Sequence, residues 1–343
     1  MKMKFWKISL ITVLSALFVY LFLKRIDFHE IKKIWLAIPL LYPLLFLLLA
    51  LPQYYVRATR WGVLLSPFKR KIAFSSLLNF TLIGFMVSYL LPGRLGEVAR
   101  PVMLAEKEKI KKSQAIATII NERLFDLLVV LVMLLFYLAL GVGTPSPILF
   151  KLKTLALLLL PVILMIFFVI TMANTKKFLP RTERLIHILA KALPARFREK
   201  IAAFAIHFIK ALNLNLGWAG ILKICCLSLL HWGIILFSYW LLMQGFSGVS
   251  LDLPATIPFL AVIFMAAAIP TPGMAGSLDL ASKYALTGLF GVDAKTAVAF
   301  TIFFHFLLLL MPIALGLLAF WHEGLNFKIV ANLSKRDELS TMR

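Results

Sequence analysis

The sequence predicts an all-α integral membrane protein with about six full spans plus two re-entrant segments in an inverted-topology repeat. Three observations lead there. Hydrophobic residues make up 62% of the chain and charged residues only 15%, against roughly 45–50% apolar and about 25% charged in soluble domains. The mean hydropathy is +0.93, and the apolar residues gather in runs close to the ~20 residues that a spanning helix needs. The 37 Lys and Arg outnumber the 15 Asp and Glu, and they fall between those runs, where they act as topology signals and contacts to anionic headgroups. Together these features exclude an ordinary soluble enzyme, a disordered tail and a disulfide scaffold. Residues 1–343 read as a single polytopic membrane domain.

The elements follow in order. Residues 8–23 read as a retained first span rather than a signal peptide, because Lys24 and Arg25 follow the run directly with no small-residue cleavage motif. The further apolar runs are residues 36–56, 72–91, 115–140, 155–173, 218–243, 255–269 and 298–320. The run 255–269 is short and has Pro254, Pro258 and Pro270 in and around it. Lys and Arg placement orients the runs: the basic stretch 175–210 belongs inside, and the connections 141–147 and 244–254, with Asp252 as their one charge, belong outside. The run 72–91 has basic clusters at both ends, Lys69 to Lys71 and Lys107 to Lys112. It satisfies the charge rule by dipping in and returning to the cytoplasm. The run 255–269 does the same from outside. Both termini are then expected in the cytoplasm, with the chain in the cell (cytoplasmic) membrane; the basic loop 24–33 falls outside in this scheme.

Residues 174–216 form a basic cytoplasmic hairpin. Leu185, Ile188, Leu189 and Ala192, then Phe197, Ile201, Phe204, Phe208 and Leu212, recur at helical spacing on either side of Pro194. It is expected to lie on the anionic leaflet, with a partner-binding element as the alternative. Residues 322–343 are expected to be a short cytoplasmic tail.

Two segments share the pattern P-G-x-x-G: Pro92-Gly93-Arg94-Leu95-Gly96, and Pro272-Gly273-Met274-Ala275-Gly276, which follows Pro270. Each comes after a re-entrant candidate. Irregular backbone at membrane depth is tolerated only where protein or a water-filled cavity satisfies it, so the paired turns predict a central cavity.

The densest polar cluster is Arg94, Glu97 and Arg100, on one face if helical. Two arginines suit a phosphate, and Glu97 suits orienting them or meeting a cationic group. A structural salt bridge capping the turn is the other reading. Glu122, Arg123 and Asp126 lie inside the run 115–140, where ionisable groups face a bundle interior. They are expected to pair with Arg94 or Arg100, or to serve the same site. Arg57 and Arg60, beside Tyr54, Tyr55 and Trp61, read as a snorkelling interfacial anchor, with headgroup guidance as the alternative. Asp279 and Lys283 are spaced to pair. His231 and His305 are each a packing histidine or a proton relay. Trp218, Trp232, Trp240 and Trp321 read as interface-belt or packing aromatics. The adjacent Cys225 and Cys226 read as packing residues. Protease, hydrolase, nucleotide-loop and metal-ligand patterns are missing, so no cofactor, no metal and no catalytic residue is expected. The expected partners are membrane lipids and not nucleic acid; a homo-oligomer is left open.

The strings Pro92 to Pro101, Asn121 to Asp126 and Pro270 to Gly273 resemble the lysylphosphatidylglycerol synthase transmembrane-region family, also called flippase-like domain proteins. The resemblance runs from about residue 5 to 320. It implies a helical membrane domain with re-entrant elements, handling a phospholipid or polyprenyl-linked lipid with an anionic or zwitterionic headgroup. In bifunctional members this region is thought to move an aminoacylated phospholipid between leaflets. Met274 replaces a glycine usual in the second motif, and His305 stands in the last span where the family often has arginine. The soluble aminoacyltransferase domain of bifunctional members is absent from the sequence, so a flippase-like transporter is expected rather than an enzyme. An intramembrane lipid-modifying transferase using Glu97 or Glu122 as a base, or a membrane subunit recruiting partners, is the alternative.

Overall fold

The computed structural model describes residues 28–91, 94–141, 147–173, 179–190, 195–212, 216–249, 251–269 and 271–325. The expected first span, most of the tail, Pro92, Gly93, Pro194 and Pro270 lie outside the described residues. Everything regular among those described is helical, as the composition requires of a chain that satisfies its backbone inside lipid.

Helix α1 (Phe28–Leu36) precedes Pro39, and α2 (Leu41–Leu65) begins just after it. Trp35 of α1 donates its indole N–H to the Ala299 carbonyl at 2.9 Å, which ties α1 to the last long helix. Next come α3 (Phe74–Leu90), α4 (Leu95–Glu108), α5 (Lys112–Ala139) and α6 (Pro147–Ala173). The basic hairpin is α7 (Leu179–Ala190) and α8 (Ala195–Leu212). Asn121 of α5 donates to the Leu212 carbonyl at 3.1 Å, so α8 docks against α5. Then follow α9 (Gly217–Gln244), α10 (Thr256–Ala266), a single turn at Pro272–Met274, α11 (Ser277–Phe290) and α12 (Ala294–His322). Asp293 caps α12, its carboxylate accepting from the Lys295 and Thr296 amides.

Among the described residues, α2, α6, α9 and α12 are long and apolar enough to cross a membrane. Helix α5 has 28 residues but carries Glu122, Arg123 and Asp126 at its middle. The two shorter apolar helices, α3 and α10, are the two segments expected to re-enter. Leu44, Leu48 and Leu51 on α2, Phe136 on α5 and Leu310 on α12 are exposed, as suits surfaces facing lipid rather than water.

Two apolar clusters hold the bundle. One centres on aromatic residues of α2, α9, α10 and α12: Phe46, Tyr239, Phe259, Phe300 and Phe304. The Tyr239 and Phe304 rings meet edge-on with centroids 4.8 Å apart. The other packs α2, α3, α4 and the end of α12 around Trp61, Ile83, Met86 and Leu104. In the second, α3 and α4 cross backbone to backbone at Gly84 and Gly96, where a Cβ on Gly96 would collide with the Gly84 carbonyl oxygen. Helix α12 makes a similar approach at Gly316, where a Cβ would stand 2.9 Å from the Leu82 carbonyl oxygen.

Candidate functional site

Both P-G-x-x-G segments bend at the same register. Arg94 (φ 53°) and Met274 (φ 60°), each the residue after the Pro-Gly pair, are left-handed, a conformation that costs a non-glycine residue and needs its surroundings to hold it. Arg94 is the N-cap of α4. The second turn is held from behind by His305 of α12. Its Nδ1 lies 2.6 Å from Asp279 Oδ1 and its Nε2 lies 2.8 Å from the Gly273 carbonyl oxygen. The other Asp279 oxygen accepts the Gly276 amide at 2.8 Å. Asp279 therefore partners His305 and not Lys283, because α11 turns its carboxylate toward α12.

Between the two turns lies a cavity of about 450 Å³. One end is ionic, with Arg57 of α2, Arg94 and Glu97 of α4 and Arg123 of α5 in its wall. The rest is mostly apolar, with Phe85, Leu127, Phe264, Met274 and Leu307 among its lining. Ser88, Tyr89 and Ser238 add hydroxyls.

The ionic end continues inward as one network. Arg94 donates to Glu97 Oε1 at 3.0 Å, and Arg123 Nη2 lies 3.3 Å from the same oxygen. Arg123 Nη1 also donates to Asp126 Oδ2 at 3.4 Å. Behind this layer, Arg60 donates to Asp126 Oδ1 at 2.6 Å, and Trp232 Nε1 donates to that oxygen at 3.0 Å. Glu122 sits between Arg57 Nη2 at 2.8 Å and Arg100 Nη2 at 2.7 Å. Arg60, Glu122 and Asp126 are 0% exposed. The guanidinium of Arg57 lies 4.6 Å from the Phe85 ring centroid, and that of Arg100 lies 4.7 Å from Trp61, a cation–π arrangement that helps hold buried arginine. His231 Nε2 faces Arg57 Nη1 at 3.3 Å. A guanidinium only donates, so that nitrogen is the bare one and the ring is neutral.

The structure brings Arg94, Glu97, Arg100, Glu122, Arg123 and Asp126 into one continuous cluster. It separates their roles: Arg94, Glu97 and Arg123 line the cavity, while Arg100, Glu122 and Asp126 lie beneath it. The snorkelling reading of Arg57 and Arg60 is corrected. Helix α2 continues past the apolar run to Leu65, which carries both arginines inward to Glu122 and Asp126. Sequence reasoning also passed over Ser228 and Trp232 as partners of this network. A signal that could have found the arginines is matched spacing: two cations at i, i+3 in one apolar helix and two carboxylates at i, i+4 in another.

The chain matches the family model described as "Lysylphosphatidylglycerol synthase TM region" over residues 7–316. It is also 22% identical over 325 residues to a UPF0104 membrane protein of Methanocaldococcus jannaschii, an alignment that covers 93% of this chain and 96% of that one. No solved structure matches it.

Proposed function

The chain belongs to the lysylphosphatidylglycerol synthase TM region family, and from that premise we propose that this multi-pass membrane protein binds a lipid with an anionic headgroup in its cavity and moves it between leaflets. The observation that carries the reading is the polarity of the cavity wall: three arginines against one glutamate at one end, and aromatic and aliphatic side chains over most of the remainder. An amphipathic ligand with a negative head and apolar tails complements such a wall. The two left-handed turns and the short helices α3 and α10 support broken, re-entrant elements on either side of the cavity, where a moving headgroup needs irregular backbone. The distribution of basic residues supports a cell-membrane location with cytoplasmic termini.

Transport fits better than chemistry on the lipid. A general base needs a free carboxylate within reach of its proton. Both oxygens of Glu122 and both of Asp126 face cationic groups within 3.7 Å, and Glu97 shares one oxygen between Arg94 and Arg123.

The test is native mass spectrometry of protein extracted gently with its lipids, wild type against Arg94→Ala, paired with headgroup translocation in reconstituted vesicles. The expected result is a retained anionic lipid class in the wild type that is lost in the variant, with slower translocation. Equal, unselective adducts in both proteins, with unchanged translocation, would overturn the assignment.

A further inference from the structure

The charges of the network do not cancel. Arg57, Arg60, Arg94, Arg100 and Arg123 bring five positive charges, while Glu97, Glu122 and Asp126 bring three negative ones, all joined by the distances above. His231 is neutral by its contact with Arg57. The inner layer balances by itself, Arg60 and Arg100 against Glu122 and Asp126. Arg57, Arg94 and Arg123 line the cavity with Glu97, while Arg57 also reaches Glu122 and Arg123 also reaches Asp126, so the surplus of the network opens onto the cavity. Among the described residues, the network as a whole carries two positive charges more than its carboxylates offset. Surplus charge in a wall of low polarity favours an anionic ligand, and an anion in the cavity reaches those three arginines.

We propose that the headgroup bound here is a phosphate monoester with two negative charges, an inference that rests on the anionic-lipid reading of the same cavity. A phosphomonoester carries about −1.5 to −2 near pH 7 and offers three terminal acceptor oxygens. A phosphodiester carries one charge and leaves two free oxygens. Arginines from α2, α4 and α5 line the same end of the cavity, so three guanidinium groups are at hand for the three terminal oxygens of a monoester. A diester offers one free oxygen fewer and leaves one charge of the surplus without a counter-charge. The apolar wall of Phe85, Leu127, Phe264 and Leu307 takes the chain beyond the ester oxygen.

The test uses the full-length wild-type protein, delipidated in a neutral detergent at pH 8, and native mass spectrometry against three lipids of equal chain length. These are dioleoyl phosphatidic acid (a monoester), dioleoyl phosphatidylglycerol (a diester) and dioleoyl phosphatidylcholine. A hydrogen bond to a charged group contributes about 1.5–3 kcal/mol, so phosphatidic acid should bind about tenfold or more tightly than phosphatidylglycerol, with phosphatidylcholine weakest. Equal binding of phosphatidic acid and phosphatidylglycerol, both above phosphatidylcholine, would overturn the monoester assignment and leave the anionic-lipid reading standing. Equal or absent binding of all three would overturn that reading as well. Inorganic phosphate that displaces phosphatidic acid at equal concentration would keep the dianion and overturn the lipid as its source. Glu97→Gln adds a further uncompensated charge, which attracts a dianion more strongly than a monoanion, so it should raise binding of both lipids and widen the gap in favour of phosphatidic acid; an unchanged or narrowed gap would overturn charge matching.

Discussion

Gly96 and Gly84 bring α4 and α3 together so closely that neither position has room for a side chain. A Cβ on Gly96 would strike the Gly84 carbonyl and the Ser88 side chain, and one on Gly84 would stand 2.8 Å from the Arg100 Cβ. This contact sets where Glu97 and Arg100 point. Gly96→Ala forces the helices apart and should cost about 1–3 kcal/mol, read as a lowered thermal unfolding midpoint in detergent with weakened lipid retention. Gly233→Ala on α9 is the control. A Cβ there meets nothing within 4 Å, so the exchange should stabilise by about 0.5–1 kcal/mol.

Asp126 accepts from Arg60 and Trp232 through one oxygen and from Arg123 through the other. Asp126→Asn keeps the shape and removes the charge, which leaves buried Arg60 with only Glu122, at 3.3 Å, as a charged partner. The expected cost is about 3–5 kcal/mol, measured by reversible unfolding in SDS–detergent mixtures. Arg123→Gln should cost less, because that side chain is 31% exposed at the cavity, and its larger effect should fall on lipid retention.

His305 spans the Asp279 carboxylate and the Gly273 carbonyl, and both are acceptors. His305→Leu strands both acceptors, at about 1–3 kcal/mol each, and should release the turn that carries Met274. Asp279→Asn can still donate to Nδ1 and accept from Gly276, so it should be milder. Hydrogen exchange over the peptide 271–280 reads the difference, and equal protection in the two variants would count against this role for His305.

Glu323 follows α12 and clamps it to α3 and α4, accepting from Asn79 at 2.8 Å and from Lys107 at 2.7 Å. Burial pushes its carboxyl up, but the hydrogen bonds from Asn79 and Lys107 and the Lys107 charge outweigh it, so its pKa lies below the ordinary 4.5. A carboxyl depressed on folding stabilises the fold fully above its unfolded pKa and loses that contribution as pH falls through the folded value. Wild type should therefore exceed Glu323→Gln in thermal stability at pH 7, and the gap should close in acid below the folded pKa.

Much of this was legible from hydropathy and spacing. Among the described residues the apolar runs became helices, and the two re-entrant candidates became the shorter helices α3 and α10. Arg94 and Glu97 were legible because they are three residues apart and pair locally. Arg57 and Arg60 were not. Hydropathy ends a span where charges begin, whereas a helix continues wherever those charges find partners, and their partners lie on α5. Asp279 and His305 escaped for a related reason: Lys283, one turn away on the same helix, is the pairing that local spacing favours, while the true partner sits on α12.

The division of the network between helices also orders its birth. On translocon scales a lone Arg or Asp at a helix centre costs about 2.5–3.5 kcal/mol to insert. Helices α2 and α4 leave the ribosome first, carrying Arg57, Arg60 and Arg100, while Glu122 and Asp126 arrive only with α5. A nascent chain that stops before residue 112 holds these cations without Glu122 and Asp126, so it should insert less completely than one that extends beyond residue 126. The first half of the bundle is then expected to close only once α5 has joined it.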